Sequence, residues 1–376
     1  MDSINILIPL LFGGAFILTC YLVPKIRGVV NYKRLSEEPN ERSSHTRPVP
    51  SLGGIAFYMI LMVSVWFVHP YDTYNEIASI IPGLTILFMA GLKDDLVVLG
   101  AWTKLAAQIL AAVFVVFHYK FSIVSLYGFM GIESLPVWLA AAFAIFIIIA
   151  VINAFNLIDG IDGLASGLGI LIFAGFSVIF FLTGNNTLML MAVLLTGSLL
   201  GFLVFNLSKK QKIFMGDTGS MLIGFSAGLM TVRVLAFQPS SLSALPFQPE
   251  NIPFVMLGLL FVPLFDTGRV FMVRILAGKS PFKADRKHTH HIIMDFFDIS
   301  HRRTSFFMGI GNLVIALCFA GLSMIFNQWA MLAVFTGTVL SLLLAFYLLQ
   351  RANLDQTEHA DSSRLCKSIA AFRNKE

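Results

Sequence analysis

The stretch "GLASGLGILIFAGFSVIFFLTGNNTLMLMAVLLTGSLLGFLVFNLS", residues 163–208, decides the fold. It carries no Asp, Glu, Lys, Arg or His. It is long enough for two passes through a bilayer, each of which needs roughly 20 apolar residues. Its cluster of turn formers, Thr183-Gly-Asn-Asn-Thr187, divides it into spans at 166–183 and 187–206. A second long apolar stretch, beginning at Thr304, divides in the same way at Asn327-Gln328.

The rest of the chain agrees. Of its 376 residues 57% are apolar and only 12% charged, where a soluble domain carries about 25% charged residues. Further spans are read at 4–24, 52–69, 77–92, 104–119, 136–153, 216–237, 252–273, 306–326 and 329–349, eleven in all with the two above. The first lacks a basic leader and a small-residue cleavage site, so it is expected to remain as a span. With the N-terminus outside and Lys104 placed at the membrane edge, the inside loops and the tail hold every other Lys and Arg except Lys120, Arg233 and Arg269. Positive-inside bias therefore predicts an all-α integral membrane protein with a periplasmic N-terminus and a cytosolic C-terminus. Residues 1–350 form the membrane domain, and 351–376 a polar cytosolic tail, partly disordered. Three dispersed cysteines predict neither a disulfide framework nor a zinc site.

Acidic residues inside or at the ends of apolar segments are costly and usually functional. Asp94, Asp95, Asp159, Asp162, Asp217 and Asp266 all fall at the cytosolic ends of these spans. Exposed turn residues would explain one such carboxylate more easily than the adjacent pair in "GLKDDLVVLG" (91–100). The pair suits a shared divalent cation, or a base held beside a partner. In "NAFNLIDGIDGLASG" (153–167), Asn153, Asn156, Asp159 and Asp162 are interleaved with Gly160, Gly163 and Gly167. The glycines allow close backbone approach, and the amides and carboxylates offer hydrogen bonds to a base, a sugar or a metal. In "KKQKIFMGDTGS" (209–220), Asp217 opens a helix behind Phe214. It can cap that helix, bind a metal, or both.

"PLFDTGRV" (263–270) places Asp266 and Arg269 three apart, close enough to pair on one helix. His288, His290 and His291 follow a basic loop. Their spacing fits helical zinc binding poorly, whereas Arg and His together suit a pyrophosphate. Ser43, His45 and Arg47 in the first inside loop are a weaker signal. Carboxylates, amides, an aromatic ring and cationic groups at one membrane face suggest Mg²⁺-assisted phosphoryl transfer between a soluble donor and a lipid acceptor.

These motifs resemble those of the polyprenyl-phosphate N-acetylhexosamine-1-phosphate transferases. The match is carried by "GLKDDL", "NAFNLIDGIDGLASG", "FMGDTGS" and "PLFDTGRV…SPFKADRKHTHH", in family order over roughly residues 1–350. The bacterial branch that primes O-antigen, enterobacterial common antigen or teichoic acid synthesis is the most similar. The phospho-N-acetylmuramoyl-pentapeptide transferases are cousins with a different histidine loop. Here that loop reads His-Thr-His-His, where relatives often carry an aliphatic residue second.

The resemblance implies a bacterial inner-membrane enzyme with a cytosolic active site. It would pass N-acetylglucosamine 1-phosphate, or that of another N-acetylhexosamine, from a UDP-sugar to polyprenyl phosphate, releasing UMP. Mg²⁺ is the implied cofactor, with Mn²⁺ as an alternative. Asp94, Asp95, Asp159 and Asp162 become the candidate catalytic carboxylates. Asp94 would be the base for the lipid phosphate or its holder, Asp95 a support for metal or base, and Asp217 a direct metal ligand. Asp162 and the Gly160 backbone would lie near uracil, with Phe214 stacked on its ring. Asn153, Asn156 and Asn206 would serve the nucleotide, and Arg269, His288, His290 and His291 the pyrophosphate or sugar. No nucleic-acid partner is expected, and a homodimer is compatible. A pentapeptide-bearing donor, a secondary transporter and a membrane scaffold are the competing readings. Against a transporter, no internal repeat is visible and the acids crowd one edge of the membrane rather than its midplane.

Overall fold

A computed structural model describes residues 2–33, 35–37, 49–123, 125–278 and 288–373. Ser43, His45, Arg47 and the basic loop 279–287 lie outside the described residues. The elements run α1 (Asp2–Tyr32), β1 (Ser36–Glu37), β2 (Val49–Pro50), α2 (Gly54–Val68), α3 (Glu76–Leu96), α4 (Ala101–Val116), β3 (Ser125–Phe129), β4 (Ile132–Ser134) and α5 (Val137–Ile158). They continue with α6 (Leu164–Leu182), α7 (Asn186–Asn206), α8 (Gly216–Leu235), α9 (Pro239–Leu242), α10 (Ile252–Leu259), α11 (Phe261–Leu276), α12 (Thr289–Phe297), α13 (His301–Ser323) and α14 (Gln328–Arg373). The strands form two small antiparallel hairpins, β1–β2 and β3–β4. Everything else of consequence is helix.

Each of the eleven expected spans has a helical counterpart, but their lengths do not all suffice. Nine helices among the described residues are long and apolar enough to cross a membrane, or ten if a bent pair counts as one span. The fourth stretch forms α4, whose 16 residues are short for a full crossing. The ninth is the bent pair, with an angle of 75° between α10 and α11.

The bend has a local cause and a distant repair. Pro263 has no N–H to donate to Leu259, and its ring opposes a continuous helix there. The groups freed at the break would be costly in an apolar medium. Asn312 of α13 satisfies both. Its amide nitrogen donates to Leu259 O at 3.0 Å, and its amide oxygen accepts from Val262 N at 3.0 Å. Asn312 itself is buried.

The bundle is organised around α8, which is buried continuously from Thr218 to Leu235. Glycines let its neighbours reach its backbone. A Cβ on Gly224 would lie 2.6 Å from Ile152 Cα of α5, and one on Gly91 of α3 would lie 2.5 Å from Thr218 Cα. Without a hydrophobic driving force between helices in lipid, such small-residue contacts are the main source of close packing. The Gly91 contact brings the last turn of α3, with its two aspartates, against the first turn of α8. At the periphery, Trp66, Trp102, Phe117 and Phe146 are exposed, and the 18-residue window of α14 has no buried residue. Apolar side chains directed outward from long helices are what lipid immersion requires. The chain is an all-α, multi-pass membrane protein.

Candidate active site

The first turn of any helix leaves backbone N–H groups without intrahelical partners. In α8 the residue before the helix, Met215, makes no side-chain cap. Asp95 of α3 supplies one from outside. Its Oδ1 accepts from Asp217 N at 2.7 Å, and its Oδ2 accepts from Thr218 N at 3.1 Å and from Thr218 Oγ1 at 2.6 Å. A carboxylate at the positive end of a helix is also favoured by the helix dipole. Asp95 therefore anchors the turn that carries Asp217.

Asp94 turns the other way. Its Oδ1 accepts from Leu99 N at 2.5 Å, which folds the chain after α3 back on itself. Its Oδ2 pairs with Lys104 Nζ. The same ammonium reaches Asp217 Oδ2 at 3.2 Å. Lys104, from the start of α4, thus stands between the two carboxylates. Asp94 is almost wholly enclosed, with 2% of its side chain accessible, while Asp217 keeps 30%. The accessible carboxylate is the one a ligand can reach. Asp217 Oδ1 also accepts from Asn156 Nδ2, whose amide donates further to Ser220 Oγ at 3.0 Å. Two carboxylates converging in a poorly solvated place repel each other, and a cation between them offsets that cost.

The Asn/Asp/Gly run forms the end of α5 and the turn into α6. Asp159 is the C-cap of α5. Asp162 Oδ2 pairs with Lys212 Nζ at 2.6 Å, and the Lys212 ammonium lies 5.2 Å from the centre of the Phe214 ring. Gly163 adopts a left-handed backbone, φ +81°, which a side chain would strain. Its N–H donates to Asn206 Oδ1 at 2.7 Å, and Asn206 Nδ2 donates to Ile213 O at 3.0 Å. Asn206 is buried and clamps the 159–163 turn to the 207–215 loop. Asn153 is likewise engaged by protein, donating to Gln108 Oε1 and Ile149 O, both at 2.8 Å.

The histidines adjoin this turn. A Cβ on Gly160 would lie 3.0 Å from His290 Nε2. His288 Nδ1 bonds Asp266 Oδ2 at 2.8 Å, and Asp266 Oδ1 accepts from Thr289 N at 2.6 Å. Asp266 thereby fixes the start of α12. The His288 and His290 rings stack at 5.4 Å, and His291 lies 4.3 Å from His290. Burial pulls the His290 imidazole down to about 3, so it is neutral at ordinary pH. Neither of its ring nitrogens has a partner among the described residues. A buried polar group of that kind usually faces a ligand or water. Arg269 is buried on α11 one turn from Asp266, its guanidinium 5.5 Å from the Phe346 ring centre.

Two groupings result. Asp94, Asp95, Asp217, Lys104 and Asn156 form a carboxylate centre where α3, α4, α5 and α8 meet. Asp162, Lys212, Phe214, Gly160 and His290 form an adjoining wall. Asp266 and His288 support that wall through α11 and α12. Sequence reasoning placed Lys104 at the membrane edge and Lys212 among topogenic charges, and so missed their pairing. For Lys104 a signal existed: it is the one charged residue in the apolar stretch 104–119.

A multi-pass helical bundle with carboxylates converging at the end of α5 and an unpartnered imidazole at the turn that follows has the donor set of a membrane-embedded enzyme for phosphate chemistry. The chain matches the model of glycosyl transferase family 4 over residues 77–235, which spans the aspartates from Asp94 to Asp217. It is 30% identical over 311 residues to a probable undecaprenyl-phosphate N-acetylglucosaminyl 1-phosphate transferase of Bacillus subtilis (strain 168), covering 80% of this chain and 81% of that one. It is 31% identical over 314 residues to the decaprenyl-phosphate N-acetylglucosaminephosphotransferase of Mycobacterium leprae (strain TN), covering 77% of each. It is 29% identical over 347 residues to the undecaprenyl-phosphate alpha-N-acetylglucosaminyl 1-phosphate transferase of Escherichia coli O157:H7, covering 90% and 89%. The chain belongs to this family of polyprenyl-phosphate N-acetylhexosamine-1-phosphate transferases.

Proposed function

We propose that the protein transfers N-acetylglucosamine 1-phosphate from UDP-N-acetylglucosamine to a polyprenyl phosphate at the cytosolic face of the bacterial inner membrane. An oxygen of the lipid phosphate attacks the β-phosphorus of the donor. The bond between that phosphorus and the bridging oxygen breaks, and UMP leaves with the oxygen. The product is a lipid-linked pyrophosphoryl sugar, the start of a cell-surface polysaccharide. The observation that carries this reading is the convergence of Asp94 and Asp217 on one cation, Lys104, at the end of α5, whose following turn meets the unpartnered imidazole of His290 at Gly160.

The donor set fits Mg²⁺, which takes one or two carboxylates and completes its shell with phosphate oxygens and water. Lys104 Nζ already marks the point between the carboxylates where positive charge is favourable. Asp217 would hold the ion, and Asp94 holds Lys104 beside it. When bound, it would neutralise the pyrophosphate and the departing UMP. Asp95, read from the sequence as a support for metal or base, caps the first turn of α8, and through it would position Asp217.

The remaining roles follow from position. Asp94 acts through Lys104, whose ammonium it holds where the lipid phosphate would bind. Asp162 and Lys212 frame the nucleotide, whose base packs on Phe214. Asp159 and the Gly160 backbone line the turn, Asn206 supports it from behind, and Asn153 ties α5 to α4 through Gln108. Arg269, His290 and His291 would donate to pyrophosphate or sugar oxygens, while His288, held by Asp266, fixes the start of α12. Neutral imidazole with an open N–H can serve developing negative charge.

The test is UMP release from UDP-N-acetylglucosamine by the purified protein. It should depend on added polyprenyl phosphate and on Mg²⁺, and Asp217→Asn should abolish it. Full Mg²⁺-dependent turnover by Asp217→Asn would overturn the assignment. A labelled sugar phosphate retained on protein without lipid acceptor would replace direct attack with a covalent Asp intermediate.

A further inference from the structure

We propose a second binding site, for a phosphate-bearing headgroup or small phosphate ester, at the end of the bundle remote from the carboxylate centre. It lies at the N-termini of α3 and α7 and the C-terminus of α8. Along α3, Glu76 precedes Asp94 by a helix length of about 27 Å. The two sites therefore open at opposite ends of the same helices.

A cavity of about 290 Å³ opens there, lined by Tyr74, Tyr119, Lys120, Tyr127, Asn185 and Arg233 among others. Its floor is fixed. Arg233 Nε donates to Glu76 Oε1 at 2.7 Å, and both residues are buried. Asn185 Nδ2 donates to both Glu76 oxygens, at 3.1 and 3.2 Å, and its Oδ1 accepts from Leu188 N at 3.0 Å. The guanidinium carbon lies 4.9 Å from the Phe237 ring centre. Arg233 is thus held through its Nε–H, and among the described residues its other N–H donors make no hydrogen bond.

Glu76 neutralises Arg233, so Lys120 leaves the cavity with one net positive charge. Its ammonium lies 3.8 Å from the Tyr74 ring centre and 5.2 Å from that of Tyr119, with no carboxylate partner among the described residues. A pinning ion pair between α3 and α8 would explain Glu76 and Arg233 alone. It would explain neither the cavity nor a second cation held over aromatic faces at its rim.

The donor geometry selects the ligand class. An immobilised planar fork and a movable point charge match the several oxygens of a phosphate better than the two of a carboxylate. Tyr74 and Tyr119 offer rings and hydroxyls to a polyol body. The volume is at the small end of the roughly 300–1,000 Å³ of ligand pockets. It suits a glycerophosphate-sized group and is too small for a nucleotide sugar.

The proposal is independent of the transfer reaction, because binding is measured without turnover. The delipidated full-length protein would be titrated with phosphatidylglycerol by native mass spectrometry, with diacylglycerol as the phosphate-free control. Glycerol 1-phosphate would be titrated by calorimetry. We expect saturable binding of one of these phosphates, weakened about tenfold by Lys120→Gln and also by Tyr119→Ala. Binding of phosphatidylglycerol alone assigns a lipid headgroup, and binding of glycerol 1-phosphate assigns a soluble ester. Lys120 and Tyr119 lie outside the helix core, so both variants should fold, and Arg233→Lys tests the floor separately. Failure of both phosphates to bind, or binding that Lys120→Gln and Tyr119→Ala leave unchanged, would overturn the proposal.

Discussion

Replacing Asp95 with Ala should damage the protein through α8 rather than through metal affinity. The side chain accepts three hydrogen bonds, two of them from backbone N–H groups of the first turn of α8. Hydrogen bonds to a charged group contribute about 1.5–3 kcal/mol each, and a buried donor left unsatisfied costs about 1–3 kcal/mol. Losing a helix cap costs about 0.5–2 kcal/mol by direct measurement in other proteins. These ranges overlap in what they count, so the net loss for Asp95→Ala is about 3–4 kcal/mol. Asp95→Asn keeps one acceptor oxygen and should lose about half as much. The assay is thermal unfolding in detergent, followed by tryptophan fluorescence, with and without Mg²⁺. Both variants should unfold several degrees below wild type, in the order Ala below Asn, and the deficit should persist without metal. Asp217→Asn should unfold near wild type while losing turnover. If Asp95→Ala kept the wild-type unfolding temperature and lost only its response to Mg²⁺, Asp95 would be a ligand and the cap argument would fail.

Other perturbations probe different parts of the structure. Asn312→Leu strands Val262 N–H and Leu259 C=O at the α10–α11 break, and should cost about 2–5 kcal/mol and lower the yield of folded protein. A yield and unfolding temperature matching wild type would show that the break is satisfied in another way. Lys104→Gln removes the charge between Asp94 and Asp217. Turnover should fall about 10²–10³-fold, with a larger effect on kcat than on KM, if that charge serves the reacting phosphates. His290 sits near 3 when folded against 6.5 when free, so acid favours the unfolded chain. Its contribution to stability is complete above about pH 6.5 and is lost progressively as pH falls toward 3. The acid slope of the unfolding temperature between pH 6.5 and 5 should be shallower in His290→Gln, and equal slopes would contradict the neutral, buried imidazole.

Much of the fold was legible because hydropathy is a local sum. An apolar window of bilayer length is apolar whatever its neighbours do, so residues 163–208 declared two helices before any contact was known. Spans fail this reading where length and continuity are decided elsewhere. Stretch 104–119 is a 16-residue helix, and 252–273 is two helices bent by 75°. Pro263 signals the break, but only Asn312, from another helix, makes it tolerable.

The candidate site was legible as a set and not as an arrangement. Charge in an apolar segment is conspicuous in one dimension, and it singled out Asp94, Asp95, Asp159, Asp162, Asp217 and Asp266. Which of them faces which partner depends on the rotation and crossing of helices, and adjacent positions diverge sharply. Asp94 faces Lys104, and Asp95, one residue on, faces α8. Asp266 stood three residues from Arg269 in sequence, yet its carboxylate holds His288 and Thr289. Asn206 reads as a nucleotide contact by motif, and its amide clamps two loops.

By itself, then, the sequence determined the membrane class, the approximate helices, the acidic ends and the family to which the chain belongs. Each of these rests on composition or on short contiguous motifs. Tertiary structure decided the division of labour between Asp94 and Asp95, the bridging place of Lys104, the repair by Asn312 and the enclosure of Arg233 with Glu76. Those depend on contacts between positions up to 157 apart in the chain. Only packing around the glycine-faced α8 brings such positions within hydrogen-bonding distance.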